Sequence, residues 1–280
     1  EQNANLPIFP FFKSHGTIFE YCTKELHSVA MKKFALPLLV AGILLTSCDP
    51  EKKPEIVNLE VVVQPVFGAG NAPVSYNDAS YAMGTDTVKF TRNDFVLSEF
   101  ALLDEQGARV DIRNEYAYLS LPNRNSFTLP TTISAGQYAG FAFAIGLDST
   151  TNHGDPSIWG GSHPLNPAVN NLHWGWTGGY IFAAMEGYYQ KDGAQTPWLY
   201  HIALLENRME VVVETPLDLT DFKTLTLHLD LEKFFKAVHA LSPNEDGDFS
   251  HSTFDNGLAH KLSENLSQSF QFASLENQTP

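Results

Sequence analysis

The run IVNLEVVVQPVF, from Ile56 to Phe67, is rich in β-branched residues and alternates in hydrophobicity. Side chains on a strand point to opposite faces in turn, so such a run buries one face and leaves the other wet. Runs of the same kind recur as TVKF, DFVLSEFALLD, SFTLPTT, QYAGFAFAIGLD, GGYIFAAMEG, PWLYHIALLE, MEVVVE and LTLHLDL, separated by turn residues. Many short strands at this spacing predict an all-β fold, an antiparallel sandwich or barrel rather than a parallel sheet wrapped in helices, and the antiparallel β-sandwich is the expectation taken. No internal repeat and no second domain stand out.

Helical signals are confined to the C-terminal part, where LEKFFKAVHAL and FDNGLAHKLSENLSQSF predict one or two short helices. In the second, Phe254, Leu258, Leu262, Leu266 and Phe270 form an i, i+4 stripe. At about 100° per residue Asn265 falls on that stripe, His251 just upstream points towards it, and His260 falls nearly opposite, in solvent. Strand parity sorts two further histidines. In TLTLHLD, His228 shares the polar face with Thr224, Thr226 and Asp230. In WLYHIALL both parities are apolar, which predicts His201 buried among Leu199, Ala203 and Leu205. The plain expectation there is a core histidine bonded to backbone.

The chain has 280 residues, 43% of them hydrophobic and 18% charged, which suits a globular protein and not a disordered one. Its N-terminal part has a different character. Met31 is followed by Lys32 and Lys33, the apolar run FALPLLVAGILL, and LTSC ending at Cys48. A basic start, a short apolar run and small residues before a cysteine read as a lipoprotein signal peptide; the apolar run falls short of the roughly 20 residues that span a bilayer. The reading divides the chain into an upstream non-native extension (1–30), a signal peptide (31–47), a charged tether from a lipidated Cys48 (48–54) and a β-sandwich domain (55–280). The expected location is the cell envelope, periplasmic or at the outer-membrane surface, with a lipid anchor as the one membrane contact. Cys22 and Cys48 are the cysteines of the chain, so the domain must hold without a disulfide. A formal net charge of −15 with no basic run excludes nucleic acid as a partner.

Residues 152–180, NHGDPSIWGGSHPLNPAVNNLHWGWTGGY, crowd three histidines and three tryptophans into a Gly-, Pro- and Asn-rich segment. Its composition is that of a loop. A metal site, a sugar platform and a loop pinned by aromatics all fit it. If LHWGWTGGY is extended, Trp174 and Trp176 project to one side and His173 to the other. Catalytic patterns are scarce: the chain has no G-x-S-x-G, no H-E-x-x-H and no phosphate loop, so no enzymatic turnover is expected. NEDGDFSHS, from Asn244, looks like part of a calcium loop but lacks the Glu at the loop's twelfth position. Asn265-Leu266-Ser267 fits the glycosylation sequon, but the lipoprotein signal implies a bacterial chain, in which the match is expected to be chance.

The order GLD…NH…PLN…LHWGWTGGYIF…EG…YHIAL, followed by HS…NGLAHKLSENLSQSF, resembles the MbnP-like family of bacterial periplasmic and lipid-anchored copper-binding proteins. The resemblance runs from near Ile56 to Phe272, and its most specific part is the W-x-W-x-G-G-Y block with the strand histidine after it. It implies a β-sandwich that binds copper, with one tryptophan of the block oxidised to kynurenine at the metal, and a di-haem peroxidase of the MauG type as the partner that oxidises it. The family's Asn-His falls on Asn152-His153, its strand histidine on His201 and its paired indoles on Trp174 and Trp176. His173 stands where the family has an apolar residue and ranks low as a ligand.

This sequence departs from the family in having Leu172-His173 where a methionine often precedes the block, and His251 where some members carry cysteines. Without thioether or thiolate the favoured oxidation state stays open, but imidazole suits copper. The expected ligands are therefore His153 and His201, with His251 as an accessory ligand. An oxidised indole supplies an arylamine and a carbonyl, whereas an intact indole N–H is a donor only. The competing reading is a glycan-binding surface lipoprotein stacking sugars on Trp159, Trp174, Trp176 and Trp198. Location separates the two, since sugar-stacking rings must be exposed together.

Overall fold

In Ile56–Phe67 the buried side chains are Val57, Leu59, Val61 and Val63, after which Gln64-Pro65 shifts the phase and Val66 turns inward. The computed structural model describes residues 55–84, 86–175, 178–253 and 257–278. The upstream extension, the signal segment, Cys48 with its tether, and Trp176 lie outside the described residues.

Ile56–Phe67 is the central strand of the smaller sheet, between Lys223–Asp230 on one side and Ser126–Ser134 with Ala72–Pro73 on the other; Phe270–Asn277 lies beyond Lys223–Asp230. The larger sheet runs Met209–Leu219, Gly136–Ile145, Asp86–Leu103, Ile181–Lys191, Ala194–Ala203, Phe249–Ser250. Three short strands, Tyr81–Met83, Arg109–Asp111 and Ala117–Leu121, also pair with the long Asp86–Leu103. Inward side chains of both sheets form one apolar cluster. Ring pairs cross the gap: Phe100 meets Phe127 at 5.1 Å between centroids and Phe143 meets Phe270 at 5.3 Å. The fold is thus the all-β sandwich that the alternation predicts, with Leu225, Leu227 and Leu229 inside and His228 half covered on the polar face.

Most pairings are antiparallel, but two are parallel: Ile56–Phe67 with Lys223–Asp230, and Ala194–Ala203 with Phe249–Ser250. Alternation tells which side chains face inward, not which neighbour a strand takes or in which direction. Here Met209–Leu219 ends in the larger sheet and residues 220–222 carry the chain across to the smaller one, which sets the direction of Lys223–Asp230.

LEKFFKAVHAL yields one helical turn, Lys233–Lys236, that buries Phe234 and Phe235. The C-terminal helix is Leu258–Ser267, with Leu258, Leu262 and Leu266 buried and His260 exposed. Phe270, though in phase with the stripe, opens the edge strand opposite Leu229. Asn265 is fully buried on the helix stripe because its amide is saturated. Its Oδ1 accepts from the N–H groups of Val238 and His239 at 2.7 and 2.8 Å, and its Nδ2 donates to the carbonyls of Phe234 and His239 at 3.0 and 2.9 Å.

Candidate metal centre

The loop of residues 152–180 is anchored by Asn152, the last residue of the short helix Ser149–Asn152. Its buried Oδ1 accepts from the Tyr180 N–H at 2.8 Å. Gly179, at φ +66°, packs directly on that side chain, where a Cβ would stand 2.6 Å from Nδ2. Gly179 in turn accepts from the Trp174 N–H at 2.9 Å, and Gly178 lies against the Trp174 Cβ. The glycine pair therefore lets Asn152 and Trp174 close on the same short piece of backbone. Trp174 remains 37% exposed. His173 bridges to Tyr180, its ring edge-on to the tyrosine at 4.6 Å, and its Nδ1 accepts from the Gly175 N–H at 3.0 Å. Burial pushes the His173 imidazole below its usual range.

In Ala194–Ala203 the core face is Trp198, Tyr200 and Ile202, and Leu199 and His201 lie on the other parity, half buried. His201 is thus not inside the sandwich as WLYHIALL suggested. Its neighbourhood reads as apolar because a second layer covers the outer face of this strand. The ring also finds a side chain and not backbone: His201 Nε2 lies 2.9 Å from Glu186 Oε1.

His251 reaches His201 through the parallel ladder. Leu199 pairs with Phe249 and Tyr200 with Ser250, so the next step of the register sets His251 beside His201. Ser252, at φ +62°, then ends the ladder: its Oγ donates to the His201 carbonyl at 2.9 Å and accepts from the Ala203 N–H at 2.7 Å. The two imidazoles stack 5.0 Å apart at 4°. Trp174 stands over them, its ring 5.3 Å from that of His251 and 6.3 Å from that of His201, and Phe249 flanks His251 at 4.5 Å. Burial, with the neighbouring His201, pushes the His251 imidazole below its usual range.

Behind His201 is a charged row that the sequence reading did not single out. Arg92 Nη1 donates to Glu186 Oε1 at 2.8 Å and Arg92 Nε to Asp94 Oδ2 at 2.7 Å. The hydrogen bond from His201, with Arg92, holds the Glu186 carboxyl below the usual carboxylate range against the opposing effect of burial. The available signal was a lone charge inside an otherwise apolar strand, Glu186 in IFAAMEGYY, and the Arg92-Asn93-Asp94 cluster in its neighbour.

The structure brings His201, His251 and Trp174 together and does not group His153 with them. His153 is exposed at the C-terminus of Ser149–Asn152, its Nδ1 3.0 Å from the Ser149 carbonyl. Among the described residues no group of three or more His, Cys, Asp and Glu is placed to hold a metal ion. The tryptophans are not exposed as a set either. Trp198 is fully buried, and Trp159 is stacked on His163 at 4.3 Å with Tyr116 at its edge, geometry that does not favour a sugar platform. In the calcium-like loop Asp246 accepts from the Ser242 N–H at 2.9 Å and Asp248 from the Tyr189 hydroxyl at 3.0 Å.

Fold and site define a two-sheet β-sandwich that carries an imidazole pair and an indole on the outer face of its larger sheet. The MbnP family model matches residues 57–252, and the chain belongs to that family. Among solved structures, MbnP from Methylosinus trichosporium is similar with a TM-score of 0.46 and 20% identity, over 64% of this chain and 77% of that one. No curated protein matches the chain.

Proposed function

We propose that this protein is a lipid-anchored copper-binding protein of the cell envelope, without turnover, that holds copper through His201 and His251 beside a tryptophan of the W-x-W block. The observation that carries the reading is the His201 Nδ1, a buried nitrogen with no partner among the described residues, in a ring stacked against a second imidazole. A buried polar atom left unpaired costs about 1–3 kcal/mol, so such an atom calls for an explanation, and an absent ligand is one. Two nitrogen donors with no thiolate beside them fit copper and also zinc, so metal retention alone does not distinguish the two.

Trp174 supports the further part of the reading. Its ring adjoins both imidazoles and is partly exposed, within reach of an oxidant from outside. A di-haem peroxidase of the MauG type, passing four electrons from the indole to two molecules of hydrogen peroxide, would cleave the C2–C3 bond; hydrolysis of the resulting N-formyl group would release C2 as formate, with one water formed overall, and leave kynurenine. The new arylamine and carbonyl would add a donor that the intact indole lacks. The primary pair proposed is His201 with His251, and His153 takes the lesser place.

The test is copper affinity of the parent, His201→Ala, His251→Ala and His153→Ala, each before and after treatment with the peroxidase. Loss of either stacked imidazole should weaken copper at least about tenfold, roughly 1.4 kcal/mol. His153→Ala should have a smaller effect. Parental copper affinity in both His201→Ala and His251→Ala overturns the reading. For the anchor, Cys48→Ser should leave the protein unprocessed or released from membranes; a cleaved Cys48→Ser protein that still sediments with membranes rejects it.

A further inference from the structure

The polar row behind His201 crosses four neighbouring strands of the larger sheet. Tyr118 donates its hydroxyl to Asp94 Oδ2 at 3.3 Å, Asp94 accepts from Arg92, and Arg92 donates to the same Glu186 oxygen that faces His201 Nε2. The sheet register supports this line: Arg92 is opposite Glu186, and Glu186 is opposite Leu199, next but one to His201. Asp94 is nearly fully buried, so the row is not a set of loose surface charges.

The donor inventory determines where the proton sits. A guanidinium has five N–H donors and no acceptor, so the Glu186 oxygen must accept from Arg92. An ionised carboxylate accepts only, so the His201 nitrogen facing the same oxygen must carry a hydrogen. In the neutral ring the other nitrogen, Nδ1, then holds the lone pair, and Nδ1 is the buried atom with no partner among the described residues. A metal-ligating histidine that donates its other N–H to a carboxylate has its tautomer and orientation fixed and its basicity raised.

We propose that Glu186, braced by Arg92 and Asp94, is a positioning residue that sets His201 as the Nε2–H tautomer and presents Nδ1, not Nε2, to the metal. The proposal rests on the copper reading only for the identity of the metal. The tautomer is a property of the metal-free protein. On this account the sheet itself selects the ligating atom before any metal arrives, through a carboxylate on one strand and its clamp on the next.

The test uses the full chain labelled with 15N and two-bond 1H–15N correlation in alkaline buffer, where imidazoles are neutral. Metal-free parent should show His201 with Nδ1 bare and a slowly exchanging Nε2–H. Adding copper(I), which is diamagnetic, should shift Nδ1. Glu186→Ala should lose the slowly exchanging proton and bind copper about tenfold to a hundredfold more weakly. Glu186→Gln, which keeps an acceptor oxygen and supplies a control for folding, should retain the tautomer. An Nδ1–H tautomer in the parent, copper shifting Nε2, or a Glu186→Ala protein with parental proton protection and affinity overturns the proposal. If the expected tautomer is found but copper perturbs neither His201 nitrogen, the copper reading falls and the assignment of a ligating atom falls with it. Copper bound through Nε2 leaves the copper reading standing and removes this proposal alone.

Discussion

The indole of Trp198 lies across the backbone of Gly187 on the neighbouring strand, so close that a Cβ on Gly187 would stand 2.7 Å from the ring and also meet the Lys89 carbonyl. Trp198 is fully buried, edge-on to Phe90 at 5.8 Å and to Phe235 at 5.5 Å, so it has nowhere to retreat. Gly187→Ala should therefore destabilise by about 3 kcal/mol, the upper part of the usual range for overpacking, because backbone as well as side chain must give. Urea midpoints would show it; a variant as stable as the parent would mean that the two strands separate more easily than their packing implies.

Asn265→Leu keeps the size and apolar environment of the helix stripe but strands two N–H groups and two carbonyls around residues 234–239. Its expected cost is at least about 3 kcal/mol, since each buried group left unpaired costs roughly 1–3. A loss below about 1 kcal/mol in chemical unfolding would show that water replaces the amide there.

Asn152 makes no hydrogen bond to His201 or His251, yet it holds the Tyr180 N–H and the Gly179 backbone on which Trp174 closes. Asn152→Ala should lower stability by about 1–3 kcal/mol and also raise the exposure of Trp174. The second effect is read by quenching of tryptophan fluorescence, against a Trp174→Phe background that identifies the ring. Unchanged quenching would detach the Asn-His motif from the indole.

Asp148 caps Ser149–Asn152, accepting from the N–H groups of Thr150 and Thr151 at 2.8 and 3.1 Å and from the Thr151 hydroxyl at 2.6 Å. Burial pushes its carboxyl up, but the bonds from Thr151 and Thr150 outweigh it and hold the carboxyl below the usual range. A depressed carboxylate adds stability above its unfolded value of about 3.9 and loses it as pH falls through the folded one. Asp148→Ala should cost about 1 kcal/mol near neutrality, with the gap to the parent closing as the pH is taken below that value. A gap that persists in strong acid would assign the effect to packing.

Alternation made the strand faces legible wherever one face is wet, as at Val57, Leu59 and Val61 or at Leu225, Leu227 and Leu229. It misled at His201 because the loop with Trp174 and the segment with His251 lie over the outer face, so both parities look apolar. His251 was expected near the site from the helix stripe, and it arrives by another route, the ladder begun by Phe249 and Ser250. Glu186 and Arg92 carry no local mark beyond being charges in strands, which ordinarily face water. Only the register that sets them opposite each other gives them a shared role, and register between distant strands is not written in either one alone.

The parallel pairing of Ile56–Phe67 with Lys223–Asp230 joins residues as far apart as Glu60 and Thr224, whose side chains bond across 164 positions. During synthesis at about 5–20 residues per second, the first strand waits on the order of ten to thirty seconds before its central partner has even been made. For that interval a β-branched strand lacks its neighbour on one side, the condition in which strand edges recruit other chains. A chain cut short before Lys223 would lose two adjacent strands of the smaller sheet, Lys223–Asp230 and Phe270–Asn277, and leave Ile56–Phe67, otherwise interior, as a bare edge. Such an edge presents unpaired backbone groups to other chains, and the sandwich closes it only when its last strands arrive.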